Sequence, residues 1–392
     1  MLTNDFTEKT FEMNGLTLAA SCHFGLEAVL KREISNLGYE IAAVEDGRVS
    51  FRCPPSGIAR ANINLRTAER VLLEVASFEA RSFDELFEAI KAVPLEEFLP
   101  KNAKFWVVKV SSVKSALFSP SDVQRVAKKA MAERMKAAYG LEWMPEDGAE
   151  FPFRIAIRKD VVSLGLDTSG ASLHKRGYRV SPVIAPISET LAAGLVMLTP
   201  FKKGRILVDP FCGSGTIPIE AAMIARNIAP GVKRHFLAED WGCIVENNHF
   251  QEERESALAA QTADDESDIQ GYDINPKAVR CARENAQAAG VGDAIHFQVR
   301  DAGKFSHPKK YGFALMNPPY GERLDDEEQT REAYEAIRQM RLSMDTWSFY
   351  VITAYEKAEE IMGKADKNRK IYNGMLKTYF YCYPGAKPPK RG

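Results

Sequence analysis

Two clusters in the second half of the chain have the residue types and spacing to do chemistry. The first reads Asp209-Pro210-Phe211-Cys212-Gly213-Ser214-Gly215-Thr216 and follows an apolar run that begins at Arg205. A glycine turn between a strand end and a helix start lets the backbone approach a ligand closely. It is not a phosphate loop, since no GxxxxGK[ST] occurs, and it fits a dinucleotide fingerprint poorly, because Pro218 stands at the third glycine position. Asp209 would repel a pyrophosphate but suits a cationic amino-acid moiety. S-adenosylmethionine (SAM) carries an ammonium and a sulfonium, so charge favours it. Two more acids stand where strands are expected to end. Asp273 is placed to accept from ribose hydroxyls and Asp301 from an adenine amino group. A single such acid often only caps a turn. Three on successive strands, behind one glycine loop, are hard to obtain by chance.

The second cluster is Asn317-Pro318-Pro319-Tyr320, followed by Gly321-Glu322-Arg323-Leu324. An exocyclic amine on a base is a poor nucleophile because its lone pair is delocalised into the ring. A catalyst must hold that nitrogen and draw its protons towards acceptors. The Asn317 side-chain oxygen and the Pro318 carbonyl offer such a pair. Pro318 and Pro319 stiffen the backbone, which pre-aims the acceptors, and Tyr320 can stack on a flipped base. The plain alternative is an Asn-Pro-Pro turn with a tyrosine packed beside it. No cysteine lies in the motif, whereas ring-carbon methylation of a pyrimidine needs a cysteine nucleophile. Methylation at nitrogen is therefore expected.

From residue 188 onward, apolar strands alternate with helices, the pattern of a parallel-sheet α/β domain. Strands are expected at 205–211, 269–274, 294–300, 313–316 and 347–354, with a helix at 217–225. Asn373-Gly374 between two apolar runs predicts a terminal hairpin. Before residue 188 the signals are smaller. Strands are expected at 16–21 and 49–51, with a helix at 25–37 ended by Gly38. A second unit follows from about 65 to 167. It has strands at 70–78 and 104–110, and a helix at 82–93 opened by a Ser82/Glu85 capping box. A basic helix at 121–139 carries Arg125, Lys128 and Lys129, and a hairpin turns at Lys159-Asp160. Residues 173–186, with Lys175, Arg176 and Arg179, read as a linker or docking loop. These six cations are the candidate polyanion contacts, and the ordinary reading of the helix is a solvated face.

The 392 residues, 45% hydrophobic and 27% charged, supply more than one core. A net charge of −1 gives no global pull towards nucleic acid, so any such binding must be local. No apolar run is long enough to span a membrane, and the first fourteen residues are too charged for a secretory signal. The six cysteines are scattered, with no CxxC pair and no metal-ligand spacing, so a reducing cytoplasm and no metal are expected. Residues 238–267 have no evident role.

Both chemical clusters, together with His174-Lys175-Arg176-Gly177-Tyr178-Arg179, Pro186 and Glu189-Thr190-Leu191-Ala192-Ala193, resemble those of the THUMP-domain RNA guanine-N2 methyltransferases. The bacterial members acting on large-subunit ribosomal RNA are similar over nearly the whole chain. The resemblance implies an α/β architecture with small α+β RNA-binding domains ahead of a Rossmann-like SAM-dependent methyltransferase. The implied divisions are a ferredoxin-like domain at 1–65, a THUMP domain at 66–168, a linker at 169–187 and the methyltransferase at 188–392. It implies SAM contacts from Asp209, Pro210, Gly213, Gly215, Thr216, Asp273, Asp301 and Asn317, with 317–320 holding the base. The implied product is N2-methylguanine in 23S ribosomal RNA that is unfolded or not yet assembled. Larger members of the family carry a second methyltransferase domain, so one modification is expected of a chain ending at Gly392. Transfer RNA guanine-N2, DNA adenine-N6 and protein glutamine-N5 methylation stay open on the local chemistry, as does a non-catalytic RNA-binding factor.

Overall fold

A computed structural model describes residues 15–180, 187–246, 248–263, 266–321, 327–374 and 376–387. Residues 1–14, Pro186, Glu322, Arg323 and Leu324, named above, and Asp264 and Asp265 within 238–267 lie outside the described residues. Strands and helices follow in the order β1 (Leu16–Cys22), α1 (Glu27–Asn36), β2 (Glu40–Glu45), β3 (Arg48–Cys53), α2 (Ser56–Asn64), β4 (Ala68–Glu79), α3 (Phe83–Ala92), β5 (Lys104–Val113), α4 (Pro120–Tyr139), β6 (Glu150–Arg158) and β7 (Val161–Asp167). The second half continues with α5 (Glu189–Leu198), β8 (Ile206–Asp209), α6 (Thr216–Ala225), α7 (His249–Ala259), β9 (Asp268–Asp273), α8 (Pro276–Ala289), β10 (Ile295–Val299) and β11 (Phe313–Met316). It closes with α9 (Glu327–Ser343), β12 (Ser348–Thr353), α10 (Ala358–Met362), β13 (Lys367–Asn373) and β14 (Leu376–Tyr383).

Local signals in the front half are realised closely. Ser82 Oγ accepts from Glu85 N at 3.2 Å, while the Glu85 carboxylate reaches back to Arg81 N at 2.7 Å. Lys159 and Asp160 turn the β6–β7 hairpin with φ of +50° and +66°. Leu16, Leu18, Ala20 and Cys22 of β1 point into the core, as period-two alternation requires. Two elements escaped the sequence reading. β2 pairs only with β3 and is almost wholly exposed, so it shows no alternation. α2 buries six of its nine residues, so it shows no amphipathic stripe.

β1 to β7 form one seven-stranded sheet in the order β2-β3-β1-β4-β7-β6-β5. Within it β1 pairs antiparallel with β4, and β4 with β7. The sheet therefore runs without a break across the expected boundary at residue 65.

The second sheet has the order β10-β9-β8-β11-β12-β14-β13. Neighbours from β10 to β12 are parallel, and β14 runs antiparallel between β12 and β13. Strand order reverses beside β8, which opens a crevice at the carboxyl ends of β8 and β11, where open α/β sheets take ligands. The terminal hairpin forms with Asn373 paired to Leu376, so Asn373 belongs to the ladder and not, as expected, to the turn.

Residues 238–267 fasten the two sheets together. Trp241 is fully buried and stacks on Phe151 of β6 at 4.9 Å, and its indole N–H donates to Glu150 O at 2.9 Å. α7 lies against α2, where Asn64 donates to Glu253 at 2.7 Å. Residues 173–180 are likewise no free linker. Leu173, Arg176 and Tyr178 are buried between the two halves.

Candidate active site

The parallel register lines up the chemical residues along one rim. Val208 pairs with Ala314 and Asp209 with Gly271, while Asp273 pairs with Val299. Asp209 thus ends β8, Asp273 ends β9, and Asn317 and Asp301 follow the last residues of β11 and β10.

The glycine loop has two different glycines. Gly215 sits at φ +82°, and a Cβ there would lie 3.0 Å from both Ala282 and the Phe297 ring. Helix packing and backbone conformation together exclude any side chain. Gly213, at φ +51°, faces open space, so its backbone is bare on the crevice side.

Asp209 is 2% exposed and accepts from Phe211 N at 3.0 Å. Burial pushes its carboxyl well above the usual carboxylate range; the Phe211 N–H opposes this, and the charge of Asp273 reinforces it. Asp209 meets no cationic side chain among the described residues. Asp273 accepts from Gly213 N at 3.0 Å and Asn275 N at 2.8 Å. Asp301 is exposed and accepts from Gly303 N at 2.8 Å. Each acid therefore caps a turn, and the capping role coexists with a carboxylate at the crevice. Ile274, directly after Asp273, is 73% exposed and offers bare apolar surface there.

Asn317 is half-buried, Pro318 buried and Pro319 exposed. The Tyr320 hydroxyl donates to Asn317 Oδ1. The motif thus holds its own tyrosine, and the Asn317 carbonyl oxygen keeps a second lone pair for another donor. Gly321, at φ +71°, packs its backbone against Thr330, whose buried hydroxyl has no hydrogen-bond partner among the described residues.

Three of the six candidate RNA contacts have internal duties, which corrects the sequence reading. Arg176 is buried. It donates to Leu173 O at 2.5 Å and to Arg66 O, and its Nε lies 3.7 Å from the Glu220 carboxylate. Burial pushes Glu220 up, with Arg176 opposing, and Tyr178 donates to it at 3.0 Å. Arg179 donates to Glu189 at 3.1 Å, Ile187 O and Ser214 Oγ at 3.2 Å, and Thr216 Oγ1 at 3.3 Å. It ties residues 187–189 to the glycine loop. Lys128 is half-buried, with its ammonium 3.9 Å from the Phe105 ring and bonded to Phe105 O and Glu146. Arg125, Lys129 and Lys175 are exposed.

Sequence reasoning missed Asn285. Its amide donates to Ser214 O and its oxygen accepts from Val180 N, both at 3.0 Å, so it clamps the glycine loop from the other side. A lone Asn on the apolar stripe of Cys281, Ala282 and Ala286 was the available signal.

A parallel sheet with its switch point at a glycine loop, a buried acid at the end of the strand before it and an Asn-Pro-Pro-Tyr turn on the next strand define a SAM-dependent methyltransferase. The comparisons agree. The family described as RMKL-like, methyltransferase domain, matches residues 176–380; the RlmL ferredoxin-like domain matches 17–72 and the THUMP domain 80–167. The chain is 44% identical, over 97% of its length and 98% of the relative's, to the putative RNA methyltransferase YpsC of Bacillus subtilis (strain 168). It is 32% identical to the ribosomal RNA large subunit methyltransferase K/L of Hahella chejuensis, covering 97% of this chain but 55% of that one. The crystal structure of SMU.472, a putative methyltransferase complexed with SAH, superposes with a TM-score of 0.89 at 37% identity, over 95% of this chain and 99% of the other. The protein belongs to the RMKL-like methyltransferase family and uses SAM.

Proposed function

We propose that this protein methylates the exocyclic N2 of a guanine in RNA, with large-subunit ribosomal RNA as the substrate. The observation that carries the reading is the Asn317–Tyr320 turn beside the glycine loop at the switch point, behind a THUMP-bearing front half. The K/L relative acts on ribosomal RNA by its name, and the family resemblance favours guanine over adenine and cytosine. The domain division into 1–65, 66–168, 169–187 and 188–392 belongs to this proposal, as does a cytoplasmic site of action.

SAM, when bound, supplies an electrophilic methyl group. Asp209 receives its ammonium, Asp273 accepts from the ribose hydroxyls, Asp301 accepts from the adenine amino group, and Ile274 covers the adenine face. Gly213 leaves the room this needs, Gly215 lets the loop pack closely on Ala282 and Phe297, and Pro210 and Thr216 shape the two ends of the loop. Asn317 Oδ1 and Pro318 O accept from the target amine and hold its nitrogen in line. Pro319 stiffens the turn, and Tyr320, pinned by its hydroxyl, presents its ring to the base. Such a pocket takes only an unstacked base, so RNA not yet folded into its particle is the better substrate.

The test is incubation of the purified protein with labelled SAM and protein-free ribosomal RNA, then digestion to nucleosides. Label in N2-methylguanosine is expected. Label in N6-methyladenosine, or in no nucleoside, would falsify the guanine reading.

A further inference from the structure

One face of the front sheet is covered by helices, and the other is an open groove of about 600 Å³ that crosses the strands. Its lining mixes small residues such as Ala19, Ser50 and Gly165 with aliphatic ones such as Leu72, Val75 and Ile155, and among the described residues no aromatic side chain lines it. Four cations, Arg48, Arg70, Lys109 and Arg154, stand against three acids, Glu45 and Glu74 in the lining and Asp167 beneath it, an excess of one positive charge.

Strand register spaces these cations across the sheet. Lys109, Arg154, Gly165 and Glu74 are successive partners across β5, β6, β7 and β4. Arg48, Ser21 and Arg70 are successive partners across β3, β1 and β4. Neighbouring strands lie about 4.8 Å apart, so the groove presents positive charge at intervals along an extended path.

Pairing leaves part of that charge unspent. Arg70 Nη1 and Arg154 Nε both bond the same Asp167 oxygen at 2.7 Å, so two guanidinium groups share one carboxylate, and Arg70 also donates to Gly170 O at 2.5 Å and Ser172 Oγ at 2.9 Å. The terminal nitrogens of Arg154 have no hydrogen-bond partner among the described residues. Arg48 is paired with both Glu74 and Glu45. Lys109 is exposed and meets no acid among the described residues.

We propose that this groove is the principal surface on which the protein takes the sugar–phosphate backbone of its RNA. The inference rests on the RNA reading above and locates the contact away from the basic face of α4. Charge decides the class of partner, since the excess is positive and laid out in rows. The lining decides the part of the RNA. Splayed bases need aromatic platforms, and protein interfaces concentrate aromatic anchors at their core. A bed of small and aliphatic residues set with guanidinium and ammonium groups suits phosphates and ribose hydroxyls instead.

The experiment measures binding of the full chain to labelled, protein-free ribosomal RNA as a function of salt. Lys109→Glu and Ser111→Glu alter exposed groove positions on β5. Thermal melting and SAM affinity report whether each variant keeps its fold. Each is expected to weaken RNA binding by about tenfold, and loss of a phosphate contact should reduce the salt slope by about one. The paired variant Arg125→Glu/Lys129→Glu, on α4, should weaken it less than threefold. A loss on α4 equal to or larger than that in the groove overturns the groove assignment and leaves the RNA reading standing. A wild-type protein that binds and labels no RNA overturns both.

Discussion

Asn317 is the residue on which the proposed chemistry turns, and its oxygen already accepts from Tyr320 in the structure. Asn317→Ala should leave SAM affinity near normal and lower kcat about 10²–10³-fold, the usual cost of removing one preorganised polar group at a reacting centre. Single-turnover kinetics with saturating SAM would show this, and a loss of only a few-fold would mean that another group holds the amine. Asp273 has a double duty, because it also fixes Gly213 N at 3.0 Å. Asp273→Ala should weaken SAM binding by about 1.5–3 kcal/mol, the worth of a hydrogen bond to a charged group; wild-type affinity by calorimetry would remove Asp273 from the site. Asp209 carries a pH signature. Burial holds its folded carboxyl above the ordinary 3.8. Below 3.8 both states are protonated and the stability of the neutral acid is fully present. As pH rises towards the folded value, the unfolded chain ionises first and that stability is lost. Asp209→Asn should therefore raise the melting temperature of the cofactor-free protein at neutral pH, by about 2–4 °C per kcal/mol relieved, while abolishing the thermal shift caused by SAM. A mutant that melts lower and still responds to SAM would refute the assignment.

At the scale of elements, the segment 238–267 decides how the halves sit. Trp241 fills the junction with its whole ring and satisfies its N–H on β6. Trp241→Ala should cost about 3–5 kcal/mol, in the range for large aromatic-to-alanine cavities, and separate the denaturation of the two halves into two steps. A single urea transition shifted by less than 1 kcal/mol would show that α7 and residues 173–180 hold the junction without it. The linker is an element of the same kind. Arg176 reaches Arg66 and Glu220, while Arg179 reaches Ser214 and Thr216, so a polar chain runs from the front half to the cofactor loop.

For the whole molecule, this continuity changes what a truncation does. A fragment beginning at Ser188 would keep β8 to β14 and every strand-end acid. It would lose Arg179 and the Val180 partner of Asn285, and it would uncover Trp241. Such a fragment is expected to melt well below the intact protein and to bind SAM more weakly, as differential scanning fluorimetry with and without SAM would report. Wild-type affinity and stability in the fragment would show that the front half only delivers RNA.

Much of the candidate site was legible because its signals are local. Asp209, Gly213, Gly215 and the 317–320 turn declare themselves by residue type next to an apolar strand, and parallel strands must bring their carboxyl ends to one rim. Periodicity likewise exposed β1, α3, the β6–β7 hairpin and the alternating second half. Where periodicity fails, so does the reading. β2 is an exposed edge, and α2 is buried on most sides. The tertiary structure alone decided the fate of the charges. Arg176 and Arg179 look like Arg125 in sequence, yet two are enclosed by carboxylates and carbonyls and one faces water. It also decided that β1 and β4 join two units into one sheet, leaving Arg48, Arg70, Lys109 and Arg154 together across it. Those residues lie far apart in the chain, on strands whose pairing depends on long-range register, and no local pattern encodes which cation ends beside which acid.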